Sequence, residues 1–116
     1  MVQRISRDDL RALLDAGSVT LVEALPEPQY SAGHLPGAVN LPGDLTAELA
    51  ARPAPDPAGT VVTYCAGPSC GRSKVAATVL ARLGYHDAWV YKSGKTDWAA
   101  AGLPFDGSRT LPEPAR

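Results

Sequence analysis

Cysteine is scarce in this chain. Only Cys65 and Cys70 occur among 116 residues, too few and too close together for a disulfide framework of the secreted kind. A dominant charge is absent too: 11 basic against 12 acidic side chains leave a formal net charge of -1, which gives no electrostatic footprint for nucleic acid or an anionic membrane. No apolar run approaches the roughly 18 residues of a membrane span, and the stretch Met1 to Asp9 lacks the apolar core of a signal peptide. No internal repeat is present, and Cys-x4-Cys with the scattered His34 and His86 lacks the paired spacing of a zinc site. A soluble, cytoplasmic protein with free thiols and no metal is the expectation. Hydrophobic residues make up 45% and charged residues 20%, an ordinary globular balance. The length predicts one domain over residues 1–116, able to bury roughly two-thirds of the surface its unfolded chain exposes.

Along the chain, strand and helix signals alternate. Ser6 followed by Asp8 and Asp9 is a capped, acid-rich helix start; Leu10, Leu13 and Leu14 share one face before Gly17, predicting a helix over 7–16. Strands are predicted at 19–22, 38–41, 60–64 and 88–91, short runs rich in β-branched or aromatic residues. A helical turn is expected over 28–32, and helices over 46–51, 73–83 and 95–101; in the one over 73–83, Val75, Val79, Leu80 and Leu83 recur at helical spacing. The stretch 52–59 reads as a stiff surface connection, and the tail 106–116 has little to bury and is expected to be loosely held. Strand–helix alternation of this kind predicts an α/β fold: a mainly parallel sheet covered on both faces, whose ligands bind at the carboxyl edge of the strands.

That edge is where the chemistry concentrates. The strand ending at Tyr64 delivers Cys65 into the loop Cys65-Ala66-Gly67-Pro68-Ser69-Cys70-Gly71-Arg72, after which Ser73 opens a helix. A cysteine at a helix N-terminus meets unpaired N–H groups and roughly half a positive charge, both of which lower a thiol pKa. Gly67 and Gly71 are expected to take positive φ and turn their amides inward as an anion-binding nest, and Arg72 supplies a planar fork of donors for oxyanions. Cys65 is thus the candidate nucleophile. Arg72 with Ala66, Gly67, Ser69, Cys70, Gly71 and Ser73 forms the candidate anion site. Cys70 is either a small pocket-lining residue or a resolving thiol able to attack a Cys65 persulfide. Lys92 and Lys95 are read either as positive potential near this loop or as solvated side chains. His34 is expected to be a hydrogen-bonded structural residue, and Trp89 and Trp98 packing residues.

Three stretches in series, Gly33-His34-Leu35-Pro36-Gly37-Ala38, then Tyr64-Cys65 through Arg72-Ser73, then Gly94 through Pro104, resemble the rhodanese-like family. The resemblance covers residues 5–105. It implies a three-layer fold with a five-stranded, mostly parallel sheet flanked by helices. It also implies a sulfurtransferase that moves sulfane sulfur from a donor such as thiosulfate or a persulfide to a thiophilic acceptor, through a persulfide on the residue matching Cys65. Its partners would be a small anionic sulfur donor and a thiol acceptor, including a protein acceptor, with no cofactor. The chain departs from the family pattern in places. Arg72 stands seven residues after Cys65 where five is common, which predicts a wider pocket; Glu23 and Leu25 stand where many relatives carry aspartate and arginine; Ser93 replaces a glycine. Phosphatase relatives resemble Cys-x5-Arg with a preceding histidine, and Tyr64 here does not fit that pattern. Two alternatives stay open: a non-catalytic rhodanese-like binding or regulatory module, and a thiol redox protein using Cys65 and Cys70.

Overall fold

The architecture comes from a computed structural model that describes residues 3–41, 56 and 58–107. The predicted helix at 46–51, most of the connection at 52–59 and the tail beyond 107 lie outside the described residues. In chain order the elements are β1 (Gln3–Arg4), α1 (Arg7–Ala16), β2 (Thr20–Glu23), α2 (Glu27–Ala32), β3 (Val39–Asn40), β4 (Val61–Tyr64), α3 (Arg72–Arg82), β5 (Ala88–Tyr91) and α4 (Gly94–Ala100). The strands form one five-stranded sheet in the order β1-β5-β4-β2-β3, every neighbouring pair parallel.

Alternation along the strands divides the apolar side chains between two faces. Val62 and Tyr64 of β4 join Leu21 and Tyr91 on one face, packed with Leu10 of α1, Leu35, Ala38 and Trp98 of α4. Val61, Val22 and Ala88 face the other way, onto Leu80 of α3 and Tyr85. Tyr64, Val61 and Val62 are buried completely or nearly so, each contributing about 1.5–3 kcal/mol through the water it sheds. The ends of α1 are local: the Ser6 side chain accepts the Asp9 amide, and Gly17 closes the helix at φ 69.

Register sets up the site. Glu23, Tyr64 and Tyr91 pair in one row, so β2, β4 and β5 end level with one another. From β2 the chain passes on to β3 at one edge, and from β4 it passes to β5 on the other side. A crevice therefore opens between the carboxyl ends of β2 and β4, the place where open parallel sheets bind ligands, and Cys65 is the first residue beyond β4.

The observed ranges of β2, α2, β3, β4, α3 and α4 each depart from expectation by one residue at one or both ends. β2 extends through Glu23 because that carboxylate is received by partners inside the fold; α3 begins at Arg72, ahead of Ser73; α4 begins at Gly94, ahead of Lys95. The expected apolar face of α3 is a larger correction. Val75 is 64% exposed, while Ser73, Ala76, Ala77 and Leu80 are buried. Small side chains let the helix lie close to the sheet, and that close contact outweighs the burial of one valine. The first residue of the expected loose tail is held: Asp106 and His34 exchange backbone hydrogen bonds of 2.8 and 3.0 Å.

Candidate active site

Cys65 leaves β4 with its residue only 1% exposed, and its Sγ lies 3.4 Å from Ser73 Oγ and 3.5 Å from the carbonyl oxygen of Cys70. The strand and the helix that flank it are locked together by Thr63, whose buried hydroxyl donates to the Ser73 carbonyl at 2.8 Å. Part of the loop folds into a tight turn. The Cys70 amide bonds back to the Gly67 carbonyl at 3.0 Å, with Pro68 and Ser69 as the central residues. This turn carries Cys70 back toward Cys65, whose Sγ reaches the Cys70 carbonyl oxygen. The loop is thus folded back on itself and carries a second cysteine beside the first.

The helix N-terminus acts on both sulfurs. Gly71 is the residue before α3 and provides no side-chain cap, so the first amides of the helix remain for other acceptors. The Ser73 amide bonds to Cys65, and the amides of Arg72 and Ala66 bond to Cys70. The charge balance is the reverse of the sequence expectation. Burial, with the hydrogen bond to Cys70, pushes the Cys65 thiol above its ordinary value despite the Ser73 donors. Burial also acts on Cys70, but hydrogen bonds from Cys65, Arg72 and Ala66 and the Arg72 charge outweigh it and leave Cys70 below its ordinary value. The pair shares its protons, and its first negative charge settles on Cys70 because that sulfur receives more donors and loses less water.

Other expectations also need correcting. Neither Gly67 nor Gly71 takes positive φ; Gly71 has φ -94 and open space where a side chain would go. Gly67 is small for a different reason: a Cβ there would stand 2.7 Å from Thr96 Oγ1. The left-handed glycine of the site is Gly94 at φ +61, where a Cβ would stand 2.4 Å from the Cys65 carbonyl oxygen. That close approach lets the first turn of α4 hold the loop from beneath, with Lys95 and Thr96 amides donating to the Cys65 and Ala66 carbonyls at 3.0 and 2.9 Å. Ala66, Ser69, Gly71 and Arg72 are exposed along the rim, and Cys70 is half-buried. Among the described residues no carboxylate pairs with Arg72.

The two lysines part company. Lys92 Nζ is 3.4 Å from the Cys70 carbonyl oxygen and adds its charge to the loop. Lys95 is half-buried and held in an ion pair: its Nζ is 2.9 Å from Glu23 Oε2 and 3.0 Å from the Gln29 carbonyl. Glu23 is fully buried and also accepts the Tyr64 hydroxyl at 2.7 Å, while that hydroxyl accepts the Leu35 amide at 3.0 Å. Burial and the neighbouring Glu23 push the Tyr64 phenol far up, so it stays protonated and donates. This network was missed from sequence; its one visible signal was an acidic residue directly after the apolar run Leu21-Val22. His34 is hydrogen-bonded as expected, its Nδ1 2.8 Å from the Tyr30 carbonyl and its ring stacked on Tyr30 at 3.9 Å. Trp98 is buried and Trp89 packs against the same core, as expected. Among the described residues no three His, Cys, Asp or Glu side chains gather as a metal site, and no helix is long and apolar enough to cross a membrane.

Comparison with known proteins agrees with this architecture. The HTH-type transcriptional regulator Rv0324 of Mycobacterium tuberculosis is 39% identical over 103 residues, 88% of this chain and 44% of that protein, so the chain spans less than half of that relative. The crystal structure of BH2092 from Bacillus halodurans superposes with a TM-score of 0.84 at 23% identity, covering 92% of this chain and 78% of that one. Thiosulfate sulfurtransferase from Pseudomonas aeruginosa gives 0.77 at 28% identity, over 94% of this chain and 21% of that one. The model of the rhodanese-like domain matches residues 6–101. By its sheet order, by the cysteine loop that follows the central strand and by this match, the chain belongs to the rhodanese-like domain family.

Proposed function

We propose that the protein is a sulfurtransferase that carries sulfane sulfur as a persulfide on Cys65. The carrying observation is the pair of sulfurs held under the uncapped start of α3, with an exposed Arg72 that has no carboxylate partner among the described residues. A small anionic donor, thiosulfate or a persulfide, docks its charged end on Arg72 and the rim amides of Ser69 and Gly71. Cys65 passes its proton to the Cys70 sulfur and attacks the outer sulfur of the donor; the sulfur–sulfur bond of the donor breaks and sulfite, or a thiolate, departs with the electron pair. The anionic persulfide is then stabilised by the Ser73 amide and hydroxyl until a thiol acceptor, small or on a protein, removes the outer sulfur. The crystallised thiosulfate sulfurtransferase at 28% identity supports this class of chemistry. A reducing cytoplasm, where both thiols persist, suits the cycle.

A binding or regulatory module is the second reading, favoured by the 1% exposure of Cys65 and by the regulator name of the relative that this chain matches in part. One assay separates the two. Sulfur transfer from thiosulfate or a small persulfide to a thiol is measured for the wild type and for Cys65→Ser; transfer that depends on Cys65 is expected, and equal rates would sink the enzymatic reading.

A further inference from the structure

We infer that Cys70 is a resolving thiol that limits the lifetime of the Cys65 persulfide, closing a Cys65–Cys70 disulfide and releasing hydrosulfide. This rests on the persulfide carrier proposed above. Three observations support it. The Gly67–Cys70 turn folds the loop back so that Cys65 Sγ lies 3.5 Å from the Cys70 carbonyl oxygen, which places the second cysteine beside the carrier. Amides of Ala66 and Arg72 converge on the Cys70 sulfur, which keeps a fraction of it as thiolate. Cys65 is 1% exposed while Cys70 is half-buried, so the nearest thiol to any persulfide formed inside is Cys70 itself.

The chemistry balances without an outside oxidant. Cys65–S–S⁻ and Cys70–SH become Cys65–S–S–Cys70 and HS⁻: the sulfur–sulfur bond of the persulfide breaks, a bond forms between the two cysteine sulfurs, and the Cys70 proton leaves with the expelled sulfur. The sulfane sulfur is reduced to sulfide while two cysteine sulfurs are oxidised to the disulfide. Attack on the inner sulfur is favoured by the leaving group. Hydrosulfide leaves readily, whereas attack on the outer sulfur would have to expel Cys65, whose burial makes it a poor leaving thiolate. A dithiol reductant then reopens the disulfide. The loop would therefore turn sulfane sulfur into sulfide plus a disulfide mark, a one-turnover record of sulfur exposure in the absence of that reductant.

The test is a time course of intact mass and released sulfide after loading with thiosulfate or a small persulfide and removing the excess. Wild type should gain about 32 mass units and then fall to about 2 below the starting dithiol, with one sulfide released per chain. Cys70→Ser should hold its adduct at least about tenfold longer. A wild-type adduct that persists with Cys70 still open to alkylation overturns the inference and leaves the carrier standing, as does outer sulfur found on Cys70. No adduct on either protein removes the carrier and this inference together.

Discussion

Replacing Lys95 by methionine keeps the aliphatic stem but removes the ammonium that lies 2.9 Å from Glu23 Oε2. Glu23 is 0% exposed and Lys95 14% exposed at their side chains, so water cannot take over the lost partner. Breaking a buried pair from one side typically costs about 3–5 kcal/mol; here the Tyr64 hydroxyl still donates to Glu23 at 2.7 Å, which favours the lower half of that range. For a domain of this size each kcal/mol is worth roughly 4 °C, so Tm should fall by about 12–16 °C in a thermal melt followed by circular dichroism. Adding Glu23→Gln to Lys95→Met removes the stranded charge while keeping an acceptor for Tyr64, and should recover about 2 kcal/mol. The partly exposed pair of Arg7 and Asp97, 36% and 31% exposed, is the control: Arg7→Met should cost at most about 1 kcal/mol. A Lys95→Met protein within about 0.5 kcal/mol of wild type, or a double variant no better than the single, would refute the buried-pair reasoning.

Gly94→Ala should destabilise by about 2–4 kcal/mol and slow persulfide loading, because the added carbon meets the Cys65 carbonyl oxygen at 2.4 Å from a backbone at φ +61; an unchanged Tm and loading rate would count against that packing. Iodoacetamide should label Cys70 before Cys65, with the midpoint of the Cys70 rate profile acidward of 9.0 and that of Cys65 alkaline of it. Arg72→Ala should move the Cys70 midpoint upward, and labelling of Cys65 first would contradict the assignment. Asp87 is held below its ordinary value of 3.8 by hydrogen bonds from Thr60 and Trp89, at 2.5 and 2.6 Å. A lowered carboxylate pKa stabilises the fold above 3.8 and ceases to do so as pH drops through the folded value. The advantage of wild type over Asp87→Asn should therefore be full near neutrality and vanish in acid; an advantage independent of pH would refute it.

Local signals in the chain placed most of the scaffold. Ser6 and Gly17 bracket α1 as read, and the strands at β4 and β5 follow their β-branched and aromatic runs. The position of Cys65 beyond β4 was legible for the same reason. What could not be read was contact between distant segments. Lys95 and Glu23 are 72 positions apart, and only the parallel register of β2 with β4 brings that carboxylate beneath α4. Val75 fits a helical stripe, yet whether a stripe faces the sheet depends on how closely its small neighbours allow approach. The positive φ expected of Gly67 and Gly71 belongs to Gly94, since chain composition shows that a loop needs freedom but not which residue meets a carbonyl. The location of the lower-pKa sulfur also depended on folding. A helix start favours a thiolate in general, but the turn at Pro68 and Ser69 aims two amides at Cys70 and leaves Cys65 the drier of the two.

The loop thus combines a buried carrier candidate with an outer thiol that holds the first charge, an arrangement suited to receiving sulfur and to limiting how long it stays. The most direct measurement is peptide-level mass mapping of the Cys70→Ser protein after loading with thiosulfate or a small persulfide. The prediction is an adduct of about 32 mass units confined to the peptide bearing Cys65 and lost in Cys65→Ser. An unloaded Cys65, or an adduct that survives the Cys65→Ser change, would contradict the account.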